Sequence, residues 1–191
     1  MSESTQEISP LEDARSLIRN APEPDAAPAQ KVRDALLGMG REGDFGRLGE
    51  AAAWLAKWQG RFPPRIEKPF LAVFASSHGL ASEGVSLSSP DDTRAHVDAL
   101  REGKAPLSAI ATQSGANIRV YDLAIDKPTQ SIAESPAMSE RECAATIAYG
   151  FETAEDKPDL LALAVSGAGV GTAAAAVACA LYGGAPDYWV R

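Results

Sequence analysis

The stretch DLLALAVSGAGVGTAAAAVACALYGG, residues 159–184, joins three kinds of segment in one run. An apolar segment of strand length leads into Gly167, Gly169 and Gly171, and an alanine-rich segment of helix length follows from Thr172. A glycine turn between a strand and a helix brings backbone N–H groups together, and the helix N-terminus adds roughly half a positive charge. The pattern is typical of an anion-binding turn and equally of a tight turn whose glycines only permit close packing.

Two further runs rich in aliphatic or aromatic residues precede this stretch, FLAVFAS at 70–76 and ANIRVYDLA at 116–124. Strands that alternate with helices favour a parallel sheet with helices on both faces. We therefore predict a three-layer, Rossmann-like α/β fold in which 70–76 and 159–166, apolar throughout, are strands buried on both sides. Helical patterns lie between the predicted strands, at 90–101, 106–114 and 139–150.

The chain before the first predicted strand is helical in pattern. Residues 44–59 place apolar side chains on one wide stripe, which predicts an amphipathic helix. The proline- and alanine-rich segment 20–30 predicts a connector. We expect three regions: a disordered tail at 1–9, an N-terminal helical segment at 10–64, and the parallel-sheet domain at 65–191.

Composition excludes several classes of protein. The 191-residue chain carries a net charge of -8 and only 18 scattered basic residues, which argues against nucleic acid as a partner. Its longest apolar region is broken by glycines and is unsuited to a membrane span. Cys143 and Cys179 stand without metal-ligand spacing, so we expect core thiols in a reducing compartment and place the protein in the cytoplasm.

The glycine turn matches no known cofactor motif completely. A dinucleotide-binding motif requires a second strand that ends in an acidic residue about 20 positions after the glycines. Here only GGAPDYWVR follows the alanine-rich helix, so the motif is incomplete. A P-loop needs Gly-Lys-Ser/Thr, which this sequence lacks. His78 and His96 are the only histidines and have no cysteine or carboxylate at ligand spacing, so we expect neither a metal ion nor an organic cofactor.

The loop SSHGLASEGVSLSSP, residues 76–90, holds the most reactive side chains. His78 has the chemistry of a general base, and equally of a loop histidine that fixes backbone by hydrogen bonding. Ser77 beside it does not make a hydrolase, because sequence neighbours are not a spatial triad. Asp91 and Asp92 have the position of carboxylates in the first turn of the predicted helix 90–101.

Several motifs together resemble one family. FGRLGE at 45–50, HGLASEGV at 78–85, Ser-Ser-Pro, SGANIRVYDLAID at 114–126, PAMSE at 136–140 and the glycine turn follow the order seen in nicotinate-nucleotide–dimethylbenzimidazole phosphoribosyltransferases, which activate the lower ligand of cobalamin. The resemblance runs from about residue 10 to 191 and corresponds to the N-terminal half or so of the family's usual length.

The resemblance implies transfer of phosphoribose from nicotinate mononucleotide to dimethylbenzimidazole. It implies a base slot at Ser88, His96 and His78. It also implies homodimers, and a catalytic carboxylate in the C-terminal portion that no residue here matches, which leaves the catalytic residue unassigned. The implied phosphate-binding residues are those of the glycine turn: Gly167, Gly169, Gly171 and Thr172.

The chain departs from the family's motifs at polar positions. Val165 and Val170 stand where the family has glutamate and asparagine, and Ser77 stands where it has aspartate. Three interpretations therefore stay open: a family enzyme that needs its C-terminal half from another chain, a non-catalytic binding or regulatory subunit that partners a full-length homologue, and a fragment without function. The expected partners are a small-molecule nucleotide or benzimidazole-like base and, through exposed apolar surface, a homo- or hetero-oligomer.

Overall fold

The computed structural model describes residues 9–40 and 43–190. The predicted tail lies outside the described residues, apart from Ser9. Three parallel strands form one sheet in the order β2-β1-β3, which confirms the predicted α/β class. The strands are β1 (Pro69–Ala75), β2 (Asn117–Asp122) and β3 (Leu160–Ser166).

Helices surround the sheet close to the predicted positions. The helix predicted at 44–59 begins at Arg47, because Gly46 before it takes a φ of 46° that a helix does not use. No helix in the described ranges is long and apolar enough to cross a membrane. The helices are α1 (Glu12–Arg19), α2 (Ala26–Gly38), α3 (Arg47–Gln59), α4 (Pro90–Arg101), α5 (Pro106–Gln113), α6 (Glu140–Phe151), α7 (Val170–Tyr182) and α8 (Pro186–Trp189), with short 3-10 turns at Gly79–Glu83 and Glu152–Ala154.

Capping boxes set the starts of α4 and α6. The Ser89 hydroxyl accepts from the Asp92 amide while the Asp92 carboxylate accepts from the Ser89 amide, and Ser139 and Glu142 repeat the exchange. The backbone bond from Ser89, followed by its hydroxyl bond, lowers the pKa of Asp92, and the Ser139 bonds do the same for the pKa of Glu142. The helix-start interpretation of Asp92 is confirmed.

The core lies on both faces of β1 and β2. On one face Val73 packs with Leu100 of α4 and with Ala105 just before α5. On the other, Tyr121 of β2 stacks on Phe74 at 5.2 Å and meets Tyr149 of α6 edge-on at 5.4 Å. The part of the sheet formed by β1 and β2 therefore has helices on both faces. Cys143 and Cys179 are free thiols that are half-buried and lie outside this core.

Helices α2 and α3 form a separate hairpin with a small core. Ala29 and Val32 of α2 pack against Ala53 and Ala56 of α3. The predicted connector at 20–30 is too long, because α2 begins within it. The Asp25 side chain caps α2 by accepting from the Ala27 amide at 2.9 Å, and a proline is tolerated in a first turn where N–H groups lack helical partners.

The third strand differs from its prediction. β1 is buried or half-buried along its whole length, but Leu163 and Val165 of β3 are each 66% exposed. The expectation of burial on both faces is wrong for β3. The apolar pattern is correct for a central strand, but β3 pairs only with β1 among the described strands and no described helix covers these two side chains.

Candidate substrate-binding site

The three strands end at the same level, so their loops meet at one edge. Ala75, Asp122 and Ser166 are register partners across the sheet. The chain runs from β1 to β2 and then returns across β1 to β3, so the strand order reverses between β1 and β3. Open parallel sheets bind ligands at the carboxyl ends of the strands beside such a reversal.

Backbone bonds hold the two loops at the reversal together. The Ser76 amide donates to the Ser166 carbonyl and the His78 amide donates to the Ala168 carbonyl, both at 3.0 Å. Gly167 makes this approach possible, since a Cβ on it would lie 1.6 Å from the Ser76 carbonyl oxygen and its φ is 151°. Gly169 also has a left-handed φ of 76°. Packing therefore requires glycine at position 167, and the backbone conformation favours it at position 169.

The amides of one predicted phosphate-binding residue, Gly169, and of its two neighbours already donate inside the protein. The Ala168 amide donates to the buried Thr93 hydroxyl at 3.0 Å, and the Gly169 amide donates to the Ser86 hydroxyl at 3.1 Å. The Val170 amide bonds back to the Gly167 carbonyl. These three amides therefore stabilise the packing of the turn and are not available to a phosphate.

The start of α7 remains open beyond that turn. Gly169, its N-cap residue, has no side chain to cap the helix. The amides of Gly171 and Thr172 have no hydrogen-bond partner in the described part of the chain. Two free N–H groups at a helix N-terminus form a weak anion site, and the Thr172 hydroxyl lies in the same first turn.

A cleft of about 540 Å³ adjoins this turn. His78, Ser86 and Ser88 line it, together with Asp92 of α4 and Pro128 of the loop after β2. Ser86 also bonds to the Gly169 amide, so the turn and the cleft share a wall. The structure therefore brings together Ser88, His78 and the glycine turn.

His96 does not join these residues. Its side chain is exposed on α4, and it is not among the residues that line the cleft. Asp92, one helical turn earlier, takes that place on α4. Nothing in the spacing of the sequence favoured Asp92 over His96 as a wall of the cleft.

His78 has contacts that serve backbone and site alike. Its Nε2 lies 3.2 Å from the Ser76 hydroxyl. Burial lowers the pKa of His78 below its usual value, so the imidazole is neutral at physiological pH. It is therefore able to exchange hydrogen bonds with a neutral ring nitrogen, while its amide holds the glycine turn.

A second cavity of about 570 Å³ lies on the other side of His78. The loop after β2 and the start of α6 form it, and its lining includes Lys127, Met138 and Ser77. The Ser77 hydroxyl is buried without a hydrogen-bond partner in the described part of the chain. The sequence analysis gave no site role to the residues of the loop after β2, although PAMSE was among the family motifs, because their position beside His78 depends on the sheet order. No group of three or more His, Cys, Asp or Glu in the described ranges is arranged to hold a metal ion.

Comparison with known proteins gives a consistent result. The model of a family described as phosphoribosyltransferase matches residues 21–191. The chain is 40% identical over 182 residues to a nicotinate-nucleotide–dimethylbenzimidazole phosphoribosyltransferase of Brucella anthropi, and 43% identical over 183 residues to one of Sinorhizobium fredii. Each alignment covers 95% of this chain and 54% of the relative, so the chain spans about half the length of these relatives.

Solved structures agree. The crystal structure of CobT from Thermus thermophilus superposes with a TM-score of 0.76 at 29% identity, over 84% of this chain and 54% of that one. A second structure from the same organism, of a phosphoribosyltransferase with the same two substrates in its name, gives 0.76 at 28% identity. The motif resemblance is confirmed, including its restriction to the N-terminal half.

Proposed function

Because the chain belongs to the phosphoribosyltransferase family, we propose that it supplies the phosphate-binding turn and part of the base slot for transfer of phosphoribose from nicotinate mononucleotide to dimethylbenzimidazole. The relatives carry both compounds in their names. One observation carries the proposal: Ser86 lines the cleft beside His78, and its hydroxyl also accepts a hydrogen bond from the amide of Gly169, the N-cap residue of α7. We also propose that the protein acts in the cytoplasm.

The nucleotide phosphate binds at the start of α7 in this proposal. The free amides of Gly171 and Thr172 donate to it, and the helix dipole adds to the attraction. No basic side chain lies in the turn, residues 166–172. Binding by this half alone is therefore weak, in the millimolar range.

The flat base lies in the cleft. Ser88 and neutral His78 supply hydrogen-bonding groups along its wall. In the reaction a benzimidazole nitrogen forms a bond to C1′ of the ribose, the bond from C1′ to nicotinate breaks with its electron pair leaving on the nicotinate, and the second benzimidazole nitrogen loses its proton. A general base has to take that proton.

The family resemblance implies that this base belongs to the part of the relatives that the chain does not cover. Loss of a general base costs about 10²–10⁴ in rate. Residues 1–191 on their own are therefore catalytically silent in this proposal.

A second candidate function is a non-catalytic binding or regulatory subunit that engages a full-length homologue. Val165 and Val170 favour it, because valines hold the positions where the family has glutamate and asparagine. Such a subunit keeps the backbone of the anion site without its polar side chains.

NMR titration of the isolated chain with nicotinate mononucleotide tests the site. We expect saturable shifts at Gly171 and Thr172, and at His78 when dimethylbenzimidazole is added. A parallel assay for α-ribazole phosphate should find none. Shifts without turnover support the proposal, turnover by the isolated chain contradicts the assignment of the base to the part of the relatives that the chain does not cover, and absence of saturable shifts contradicts the site.

A further inference from the structure

Ser76 and His78 form a close pair just after the carboxyl end of β1. The Ser76 hydroxyl lies 3.2 Å from Nε2 of His78. Both residues line the cavity of about 570 Å³ that the loop after β2 forms with the start of α6. A serine hydroxyl within hydrogen-bond reach of an imidazole is the arrangement that activates serine as a nucleophile.

The backbone amide of Ser77 has no acceptor in the part of the chain that the structure describes. The amides of Ser76 and His78 donate toward β3, whereas the Ser77 carbonyl accepts from the Thr129 amide, in the loop after β2, at 3.2 Å. The N–H and C=O of one residue point to the same side of an extended chain that pairs in parallel. The Ser77 N–H therefore points toward the loop after β2 and toward the cavity, which Ser77 also lines.

This amide is unusual because Ser77 is only 2% exposed. Roughly 90% or more of buried backbone N–H groups have a hydrogen-bond partner, so an unpaired one requires an explanation. In hydrolases with a nucleophilic serine, the amide of the residue after that serine donates to the oxyanion of the reaction intermediate. Ser77 stands in this position relative to Ser76.

His78 has the protonation state that a general base needs. Burial lowers the pKa of His78 below its usual value, so the ring is neutral at physiological pH. A neutral imidazole has one nitrogen that accepts a hydrogen bond. With Nε2 as that nitrogen, the ring accepts the Ser76 proton.

The walls of the cavity indicate the class of substrate. Lys127 and Glu142 are its charged lining residues, and their charges are opposite, which favours an uncharged ligand over an ion. Its volume lies within the range of about 300–1,000 Å³ that is typical of small-molecule sites. Apolar side chains cover much of the wall: Leu123, Pro128, Pro136 and Met138.

We propose that Ser76 and His78 form a catalytic pair that hydrolyses small, uncharged carboxylic esters in this cavity. The Ser76 oxygen attacks the ester carbonyl carbon while Nε2 of His78 takes the hydroxyl proton, and the Ser77 amide donates to the carbonyl oxygen as it becomes negative. The bond from that carbon to the alcohol oxygen then breaks, and His78 returns the proton to the leaving alcohol. Water that gives a proton to His78 attacks the acyl-serine, which releases the acid and restores Ser76. This activity does not depend on phosphoribosyl transfer.

Hydrolysis of p-nitrophenyl acetate by the full chain tests the proposal. Diisopropyl fluorophosphate, which forms an adduct that water does not release, labels the nucleophile for peptide mass spectrometry. We expect hydrolysis of the ester and a label on Ser76. Ser76→Ala should lose the label, and His78→Gln should slow hydrolysis about 10²–10⁴-fold, because it removes the general base. Hydrolysis at the wild-type rate in Ser76→Ala, or the absence of label on Ser76 in the wild type, overturns the proposal.

Matched variants separate this pair from reactive groups on the surface. Ser114→Ala removes an exposed hydroxyl after α5 and His96→Gln removes an exposed imidazole, and both should hydrolyse the ester within about twofold of wild type. Ser76→Cys retains a nucleophile and should still be acylated, which distinguishes loss of chemistry from loss of the fold. An equal loss of rate in His96→Gln and His78→Gln contradicts the assignment. Phosphate binding at the start of α7 should be the same in Ser76→Ala and wild type, so the two proposals fail separately.

Discussion

Gln59 and Asp159 are joined across 100 residues of sequence by a 3.0 Å hydrogen bond from the Gln59 side-chain Nε2 to the Asp159 carbonyl oxygen. The Asp159 carboxylate accepts in turn from the amides of Glu67 and Lys68, at 2.5 and 2.9 Å. One residue therefore links the end of α3, the entry to β1 and the start of β3. It fixes the helical hairpin to the sheet and thereby places the α3 tryptophans beside β3.

Acid should loosen this link. Burial on its own raises the pKa of Asp159, but the amide bonds from Glu67 and Lys68 outweigh it and hold the pKa below its usual value. A carboxyl with a lowered folded-state pKa contributes stability above its unfolded value, near 4, and loses it as pH falls through the folded value. We expect Asp159→Asn to lower the melting temperature by about 2–6 °C at pH 7, and the difference to shrink below about pH 4.

Thermal unfolding monitored by circular dichroism at pH 7, 5 and 3 measures this. Glu155→Gln is the control, since it removes the same charge from an exposed residue of the loop before β3. An equal effect of both substitutions at every pH would show that the Asp159 bonds add nothing specific.

Ala124 is strained in the loop after β2. It is exposed and has a φ of 56°, in the left-handed region that costs a Cβ-bearing residue about 1–2 kcal/mol. Ala124→Gly should raise the free energy of unfolding by about 0.5–1 kcal/mol, after the entropy cost of glycine is subtracted. Urea denaturation checks this. The comparison variant is Ala174→Gly, at an exposed position in the middle of α7, which should lower the free energy of unfolding by about 1 kcal/mol. A loss of stability in both variants would contradict the strain at Ala124.

The buried hydroxyls of Thr93 and Ser77 should respond in opposite ways. Thr93 bonds to the Ala168 amide at 3.0 Å, so Thr93→Val leaves that buried amide unpaired and should cost about 1–3 kcal/mol. The Ser77 hydroxyl has no partner among the described residues, so Ser77→Ala should be neutral or stabilise by up to about 1 kcal/mol. Chemical denaturation of the two variants and wild type measures the change in the free energy of unfolding for each. A larger loss for Ser77→Ala would show that its hydroxyl has a partner in solution.

The glycines of the turn should also separate by role. Gly167→Ala sets a Cβ against the Ser76 carbonyl oxygen and should cost about 3 kcal/mol or more. Gly171 is helical and has open space around its Cβ position, so Gly171→Ala should stabilise α7 by about 0.5–1 kcal/mol. Melting temperatures compare the two. Equal tolerance of both alanines would contradict the close approach at Ser76.

Local patterns were sufficient to predict the strands and most helices, because periodicity and caps such as Ser89 act within one element. They also located the glycine turn correctly. They did not show that the Ala168 and Gly169 amides are taken by Thr93 and Ser86, which lie 75 and 83 residues away. The exposure of β3 was equally hidden, since an apolar strand has the same sequence whether or not another segment covers it.

Phosphate binding at the start of α7 is the most direct test of the site. An aspartate at Gly171, the second helical residue, places a carboxylate beside the free amides and also suits the helix dipole, so Gly171→Asp should fold at least as stably as wild type. It should weaken millimolar phosphate binding at least about tenfold, by competition and charge repulsion. Ala180→Asp adds the same charge near the other end of α7, and its affinity should stay within about twofold of wild type. NMR titration with inorganic phosphate and with nicotinate mononucleotide measures all three proteins. If wild type shows no saturable shift at Gly171 and Thr172, or if Gly171→Asp binds as well as wild type, the turn serves packing alone.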